Sequence, residues 1–249
     1  MEELRYTSKV KRPTRLSVFA FSVFLLCYAY QPVPAQAGSK TQASQKNDLA
    51  AMQQEAEQGD ANAQFNLGMR YDLGLGVPQS YAQAAGWYRK AAALGNIKAQ
   101  FALGVDFTFG IGVTRDSVQA ARWYREAAMR GDAKAQSVLG WLYQKGTGVP
   151  QDSAQAALWY RKAAEQGDAK AQYNLGLLYA LGRGVQQDYA EAYFWIGVAA
   201  KDKVEGTTQE DIGKARDAAA SYLTAEQHSQ AQARMRNWLE THPAEEIPH

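Results

Sequence analysis

Cysteine is all but missing from this 249-residue chain, which has Cys27 alone. A single thiol forms no internal disulfide and cannot build a zinc site of several sulfur ligands. Histidine is nearly as scarce: His228, His242 and His249 all lie near the C-terminus, with no His-Glu-x-x-His among them. Charge of one sign is lacking too, with 27 Lys and Arg against 25 Asp and Glu. So are long apolar runs. The longest, residues 16–30, falls short of the roughly 20 residues that a spanning helix needs. What is left, 46% hydrophobic and 21% charged, is ordinary material for a folded soluble protein.

That short apolar run has the setting of a secretory leader. Arg5, Lys9, Lys11, Arg12 and Arg15 precede it, Pro32 and Pro34 break it, and Ala35-Gln36-Ala37 follows. A basic start, an apolar middle and an Ala-x-Ala site are the parts of a signal peptide, so residues 1–37 are expected to be removed after Ala37. Retention as a membrane anchor is the alternative, and the leader would then be the chain's one link to a membrane. Leu25 and Leu26 stand where lipid attachment at Cys27 would want small residues, and Glu2 and Glu3 are out of place in a mitochondrial presequence. Export to a bacterial periplasm, or secretion, is the expectation. Five of the 27 bases and two of the 25 acids lie in the leader, so the remainder carries one more acid than base and no cysteine. Nothing in that balance suits nucleic acid or an anionic membrane.

Glycine, by contrast, is present at a fixed interval. Gly59, Gly95, Gly131 and Gly167 each open a near-copy of one 36-residue sequence. A period in the 20–50 range marks stacked repeats in place of one closed domain. The copies are residues 59–94, 95–130, 131–166 and 167–202, each predicted to hold two helices. In the third, Asp132 caps helix A, Gly146-Thr147-Gly148-Val149-Pro150 ends it, and Asp152 caps helix B with Gln155 completing a capping box. The same box is expected at Ser80/Gln83, Asp116/Gln119 and Asp188/Glu191. Gly167 then takes the left-handed position after helix B.

Helix A repeats a seam of leucine, glycine and an aromatic: Leu67, Gly68, Tyr71; Leu103, Gly104, Phe107; Leu139, Gly140, Tyr143; Leu175, Gly176, Tyr179. A glycine inside a helix costs roughly 1 kcal/mol against alanine, so four in register predict a neighbour that needs the space. The expected occupants come from Trp87-Tyr88, Trp123-Tyr124, Trp159-Tyr160 and Trp195-Ile196 of helix B. One repeat cannot bury these groups alone, whereas stacked repeats can.

Gly-Asp-Ala-x-Ala-Gln, Leu-Gly, Gly-x-Gly-Val and Trp-Tyr-x-x-Ala-Ala recur in register over residues 59–202. In these motifs the chain resembles the Sel-like repeat family, a relative of the tetratricopeptide repeat. The resemblance implies an all-α fold, a right-handed α/α solenoid of helix-turn-helix repeats that binds proteins. Copy four departs from the pattern, with Gly197 and Val198 where copy three has Arg161 and Lys162. Residues 193–198 are apolar almost all round, so a covering element is expected. Ile212, Ala215, Ala219 and Tyr222 form one stripe, Thr224 and Gln227 another capping box, and Ala231, Met235 and Trp238 a second stripe. Residues 203–240 therefore read as a C-terminal helical cap. Residues 49–58 read as an N-terminal capping helix, 38–48 as a flexible tether and 241–249 as a loose tail.

Catalytic patterns are wanting. The pairs Gly74/Gly76, Gly110/Gly112, Gly146/Gly148 and Gly182/Gly184 lack the third glycine, the preceding strand and the Gly-Lys-Ser/Thr of phosphate loops, and serve as helix-to-helix turns. Asp60, Asp116, Asp132, Asp152, Asp168 and Asp188 fall at helix starts, where capping accounts for them. Some Sel-like proteins are described as β-lactamases, but the one Ser-x-x-Lys, at Ser8-Lys9-Val10-Lys11, lies in the leader, and the disulfides of those proteins have no counterpart. The reading is a non-enzyme that needs no cofactor or metal.

Surface is what remains. If helix A lines the concave side, as in tetratricopeptide repeats, the residues opposite its seam face a groove. Asn62, Phe65 and Met69 come from copy one; Lys98, Phe101, Val105 and Phe109 from copy two; Lys134, Trp141 and Lys145 from copy three; Lys170, Tyr173 and Leu177 from copy four. They vary between copies while the seam repeats, as befits a surface specialised by site. Aromatic side chains are enriched among binding hot spots, and the lysines offer a basic edge. The competing reading is that several of these rings pack between repeats. The expected partner is a protein, of the envelope or of a host; a glycan or peptidoglycan module and an envelope hydrolase are the alternatives.

Overall fold

The computed structural model describes residues 42–242. The leader and its cleavage site, and residues 243–249 of the expected tail, lie outside them. The chain divides into two compact units, residues 1–51 and 52–249. The second carries the repeats; of the first, the opening turns of one helix are described. The described residues hold eleven α-helices and no strand, and none of those helices is long and apolar enough to cross a membrane.

Helix α1 is Gln42–Glu57. Four pairs follow: α2 (Ala61–Leu73) with α3 (Tyr81–Ala93), α4 (Ile97–Phe109) with α5 (Ser117–Met129), α6 (Ala133–Lys145) with α7 (Ser153–Glu165), and α8 (Ala169–Leu181) with α9 (Tyr189–Ala199). Helices α10 (Gln209–Ala220) and α11 (Ala225–Thr241) complete the order. Residues 42–48 of the expected tether are thus helical. Gln42, Ala43, Gln45 and Lys46 are all good helix formers, which carries α1 back beyond residue 49.

The glycine between repeats ends each helix B in the same way. Gly95 donates to Ala92 O at 3.0 Å and Asn96 to Ala91 O at 3.0 Å, the paired bonds of a Schellman ending. A glutamine of the next helix A then takes up a carbonyl of that last turn. Gln100 Nε2 donates to Ala92 O at 3.2 Å, Gln136 to Ala128 O at 3.0 Å and Gln172 to Ala164 O at 3.1 Å, all buried. The Ala-Gln of the motif is therefore a clamp between consecutive repeats. Helix α1 ends identically: Gly59 donates to Ala56 O, Asp60 to Glu55 O, and Gln64 Nε2 to Ala56 O at 2.9 Å. Its last turn, within the second unit, thus meets the first repeat through the same clamp.

Within each repeat the seam glycine faces helix B. A Cβ on Gly68 would lie 2.6 Å from Tyr88 Cε1, one on Gly104 2.6 Å from Tyr124 Cε1, and one on Gly140 2.7 Å from Tyr160 Cδ1. In the fourth repeat the neighbour is Ile196, 2.6 Å away. Tyr88 and Tyr160 are among the largest fully buried side chains. Their hydroxyls need acceptors. Tyr160 donates to Gln144 Oε1 at 2.9 Å, and Tyr88 reaches Asp72 at 3.4 Å.

The expected boxes at the start of helix B are half made. Asp116, Asp152 and Asp188 accept from the amides two and three residues on, and Ser80 accepts from Gln83 N. The return bond is missing because each cap amide is already used. Ser80, Asp116, Asp152 and Asp188 donate to the carbonyls of Tyr71, Phe107, Tyr143 and Tyr179 in their own helix A, at 2.8–3.1 Å. Thr224 and Gln227 form the full box at α11, as do Thr208 and Asp211 at α10. The Gly-x-Gly turns are structural in a specific way. Gly146 is left-handed at φ 68° and closes α6, while a Cβ on Gly148 would run into the Ser117 carbonyl of the preceding repeat. The second glycine of the pair therefore seats one repeat on the last.

The cap covers α9 as the apolar stretch requires. Ile212 packs with Ile196, Ala199 and Val204, while Met235 and Trp238 pack against the cluster of Tyr193, Phe194, Trp195 and Val198. Tyr222, predicted on the buried stripe, is exposed but stacks on Tyr189 at 4.2 Å.

Candidate protein-binding surface

Seen down helix A, the residues open to solvent follow the i, i+4, i+7, i+11 stripe on the side away from the glycine seam. Asn62, Asn66, Met69 and Leu73 form it in α2, and Lys134, Val138, Trp141 and Lys145 in α6; all are exposed or half-buried. Trp141 is 41% exposed and Phe109, in the equivalent stripe of α4, 37%. Asn66 and Val138 are additions to the sequence-based set. They were legible in the helical period, since position 66 lies on the line joining 62 and 69 whereas position 65 lies about 60° off it, toward the seam.

That angle corrects two expected anchors. Phe65 and Phe101 are 4% and 5% exposed, and their rings pack on Tyr88 and Tyr124 at 5.6 and 5.5 Å between centroids. They belong to the core. Val105 is buried as well, at 3%: it shares the register of Met69 and Trp141 but is the shortest of the three side chains. In the fourth repeat, Tyr173 and Leu177 are half-buried against the cluster containing Val204 and Ile212, so the cap narrows the stripe there while leaving Lys170 and Leu181 exposed.

The basic edge is partly neutralised by the chain itself. Lys98, Lys134 and Lys170 are exposed, but Lys170 pairs with Glu205 at 3.6 Å, a contact at the solvent-exposed end of the energy range for ion pairs. Lys134 and Lys170 both act on Asp168. Burial raises that carboxyl, and the bond from Ala171, the Ser137 hydroxyl and the two lysines pull it back. Asn62 accepts from Asn96 Nδ2 at 3.0 Å across the repeat boundary. Over the first three repeats the stripe runs from Asn62 to Lys145, interrupted in α4 where Ala102 and Val105 are buried, with Leu73, Phe109 and Trp141 as its exposed apolar side chains. No group of three or more His, Cys, Asp or Glu among the described residues could hold a metal.

Paired helices stacked through a recurrent clamp and capped at both ends define an α/α solenoid protein. Residues 61–96, 97–132, 133–168 and 169–203 match the Sel1 repeat, and the chain belongs to the Sel1 repeat family. These frames share the 36-residue period and begin two residues after the glycines. A protective antigen of uropathogenic Escherichia coli strains, with an SLR fold, is 34% identical at a TM-score of 0.66, covering 90% of this chain and 45% of its own. A Sel1 repeat protein from Oxalobacter formigenes is 39% identical at 0.60, covering 68% and 48%. The chain thus spans under half the length of either relative. Among curated proteins, none matches it. Sel1 repeats are commonly protein-interaction scaffolds and typically non-catalytic.

Proposed function

We propose that this protein is a non-catalytic scaffold of the bacterial cell envelope that holds a protein partner along the helix-A stripe of its first three repeats. One observation carries the reading. The seam, clamp and turn residues repeat every 36 positions, while the stripe beside them changes from Asn62, Met69, Leu73 to Lys134, Trp141, Lys145. Residues that hold the stack together recur, and those that meet solvent are individual. Exposed aromatics with nearby lysines suit a partner with apolar anchors and acidic flanks. The leader-like segment supports export after cleavage near Ala37.

The test is a crosslinked pull-down from envelope extract with the native protein and with Trp141→Ala, followed by affinity measurement on the captured partner. An anchor of this kind is worth about 2 kcal/mol, or roughly 30-fold in affinity, and the variant should still unfold cooperatively. Unchanged affinity removes Trp141 from the interface. Capture by cell-wall sacculi in place of an envelope protein would replace the scaffold reading with a glycan-binding one.

A further inference from the structure

Away from the helix-A stripe, helices α7, α8, α9 and α11 converge on a cleft of about 540 Å³ between the third repeat, the fourth and the cap. Five of its lining side chains are charged: Arg161, Glu165, Asp188, Glu191 and Arg234. Three of them are committed. Asp188 accepts from the amides of Ala190 and Glu191 at 2.8 and 3.0 Å. Glu191 accepts from Trp195 Nε1 at 3.0 Å and pairs with Arg234, which also lies over the Phe194 ring at 3.9 Å.

Arg161 and Glu165, one turn apart on α7, are not committed. Neither side chain makes a hydrogen bond or ion pair with any described residue. Arg161 is exposed, with its guanidinium 5.6 Å from the centre of the Tyr179 ring. The arginines at the same register in the earlier repeats also lie over rings, Arg89 on Phe107 at 5.6 Å and Arg125 on Tyr143 at 5.9 Å. Each of those also has a polar or charged group to act on. Arg125 donates to the Tyr143 hydroxyl at 2.9 Å, and the charge of Arg89 acts on the buried Asp106 carboxyl. Arg161 has none, and it is the one walled by a cap helix.

From these observations we infer that the cleft is a second binding site, taking a peptide segment in which an acidic side chain meets Arg161 and a basic neighbour meets Glu165. A guanidinium beside a ring keeps its planar N–H edge available for a two-point bond to a carboxylate. The net charge of the lining selects among anions. Two arginines against three carboxylates leave it negative, which disfavours a phosphate dianion and suits a carboxylate balanced by a nearby cation.

Titration calorimetry of the full protein with acetyl-Ala-Glu-Ala-Lys-Ala-amide tests this, against the same peptide with Gln in place of Glu and against inorganic phosphate. The Glu peptide is expected to bind at least tenfold more tightly than either. Arg161→Ala should cost it at least tenfold, while Trp141→Ala leaves it unchanged, which separates this site from the helix-A stripe. Arg161→Lys keeps the aliphatic stem on Tyr179 and the charge but loses the fork, so it should weaken binding even where Arg161→Ala disturbs the fold. Equal binding of the Glu and Gln peptides, tighter binding of phosphate, full affinity in both Arg161 variants, or no binding at millimolar peptide overturns the inference.

Discussion

Met235 occupies, with its sulfur, the place where a Cβ on Gly197 would stand. One repeat earlier the same register holds Arg161, which points its side chain over the ring of Tyr179. The loss of that side chain at residue 197 is what lets the chain stop repeating, because α11 can lie directly on α9.

Restoring the repeat consensus should therefore undo the end of the stack. Gly197→Arg places a long side chain where Met235 packs, and overpacking of this kind costs about 1–3 kcal/mol. Amide hydrogen exchange is expected to quicken across residues 209–241 and to hold its native rates in α2 to α7. Native exchange rates in the cap would contradict the packing described.

The helical glycines divide into two kinds. A methyl on Gly140 would sit 2.7 Å from Tyr160, a ring held in place by full burial and by its bond to Gln144, whereas a Cβ on Gly86 meets nothing within 4 Å. Gly140→Ala should destabilise by about 1–2 kcal/mol despite better helix propensity, and Gly86→Ala should stabilise by up to about 1 kcal/mol. Urea denaturation of the two variants decides it, since the shifts are of opposite sign.

A buried acid pair spans the first two repeats. Burial first, and then the charge of Asp72, push the Asp106 carboxyl up to about 8, with Arg89 pulling the other way. Asp72 is raised by its own burial, partly offset by the Tyr88 hydroxyl. A carboxyl that holds its proton more tightly folded than unfolded favours the fold fully below its unfolded value of 3.8, and that contribution is lost as pH rises to about 8. Tm should accordingly fall between about pH 5 and pH 8.5. Asp106→Asn should flatten the decline and melt above the native chain at the alkaline end. A native Tm that climbs over this range, or a variant with the same slope, would be incompatible with a buried neutral Asp106.

The glutamine clamp predicts a graded series. The Gln64 side chain makes one bond, to Ala56 O, while that of Gln136 bonds Ala128 O and also accepts from Gln166 at 2.7 Å. Replacing either by leucine leaves a buried carbonyl without its partner, at a cost of about 1–3 kcal/mol. Gln64→Leu should loosen residues 52–58 alone, read by exchange, because the only side-chain bond it removes is to Ala56 O. Gln136→Leu should lower the global stability more, read by denaturation.

The 36-residue spacing, the caps and the glycine register by themselves determined the paired helices, the stacking and the need for a cover over residues 193–198. These are local signals: a glycine that must lie near a ring, or a carboxylate that must meet free amides, announces itself within one repeat. The open surface was less legible. A period of 3.6 places residues on a side of a helix but does not say how far a neighbour's side chain reaches across it. Phe65 and Phe101, about 60° off the open line, turned inward onto Tyr88 and Tyr124, and the cap claimed Tyr173 and Leu177. The cleft around Arg161 could not be read from the chain at all. Its walls come from residues up to 73 positions apart, Arg161 and Arg234, and the packing of α11 against α9 is what brings them together.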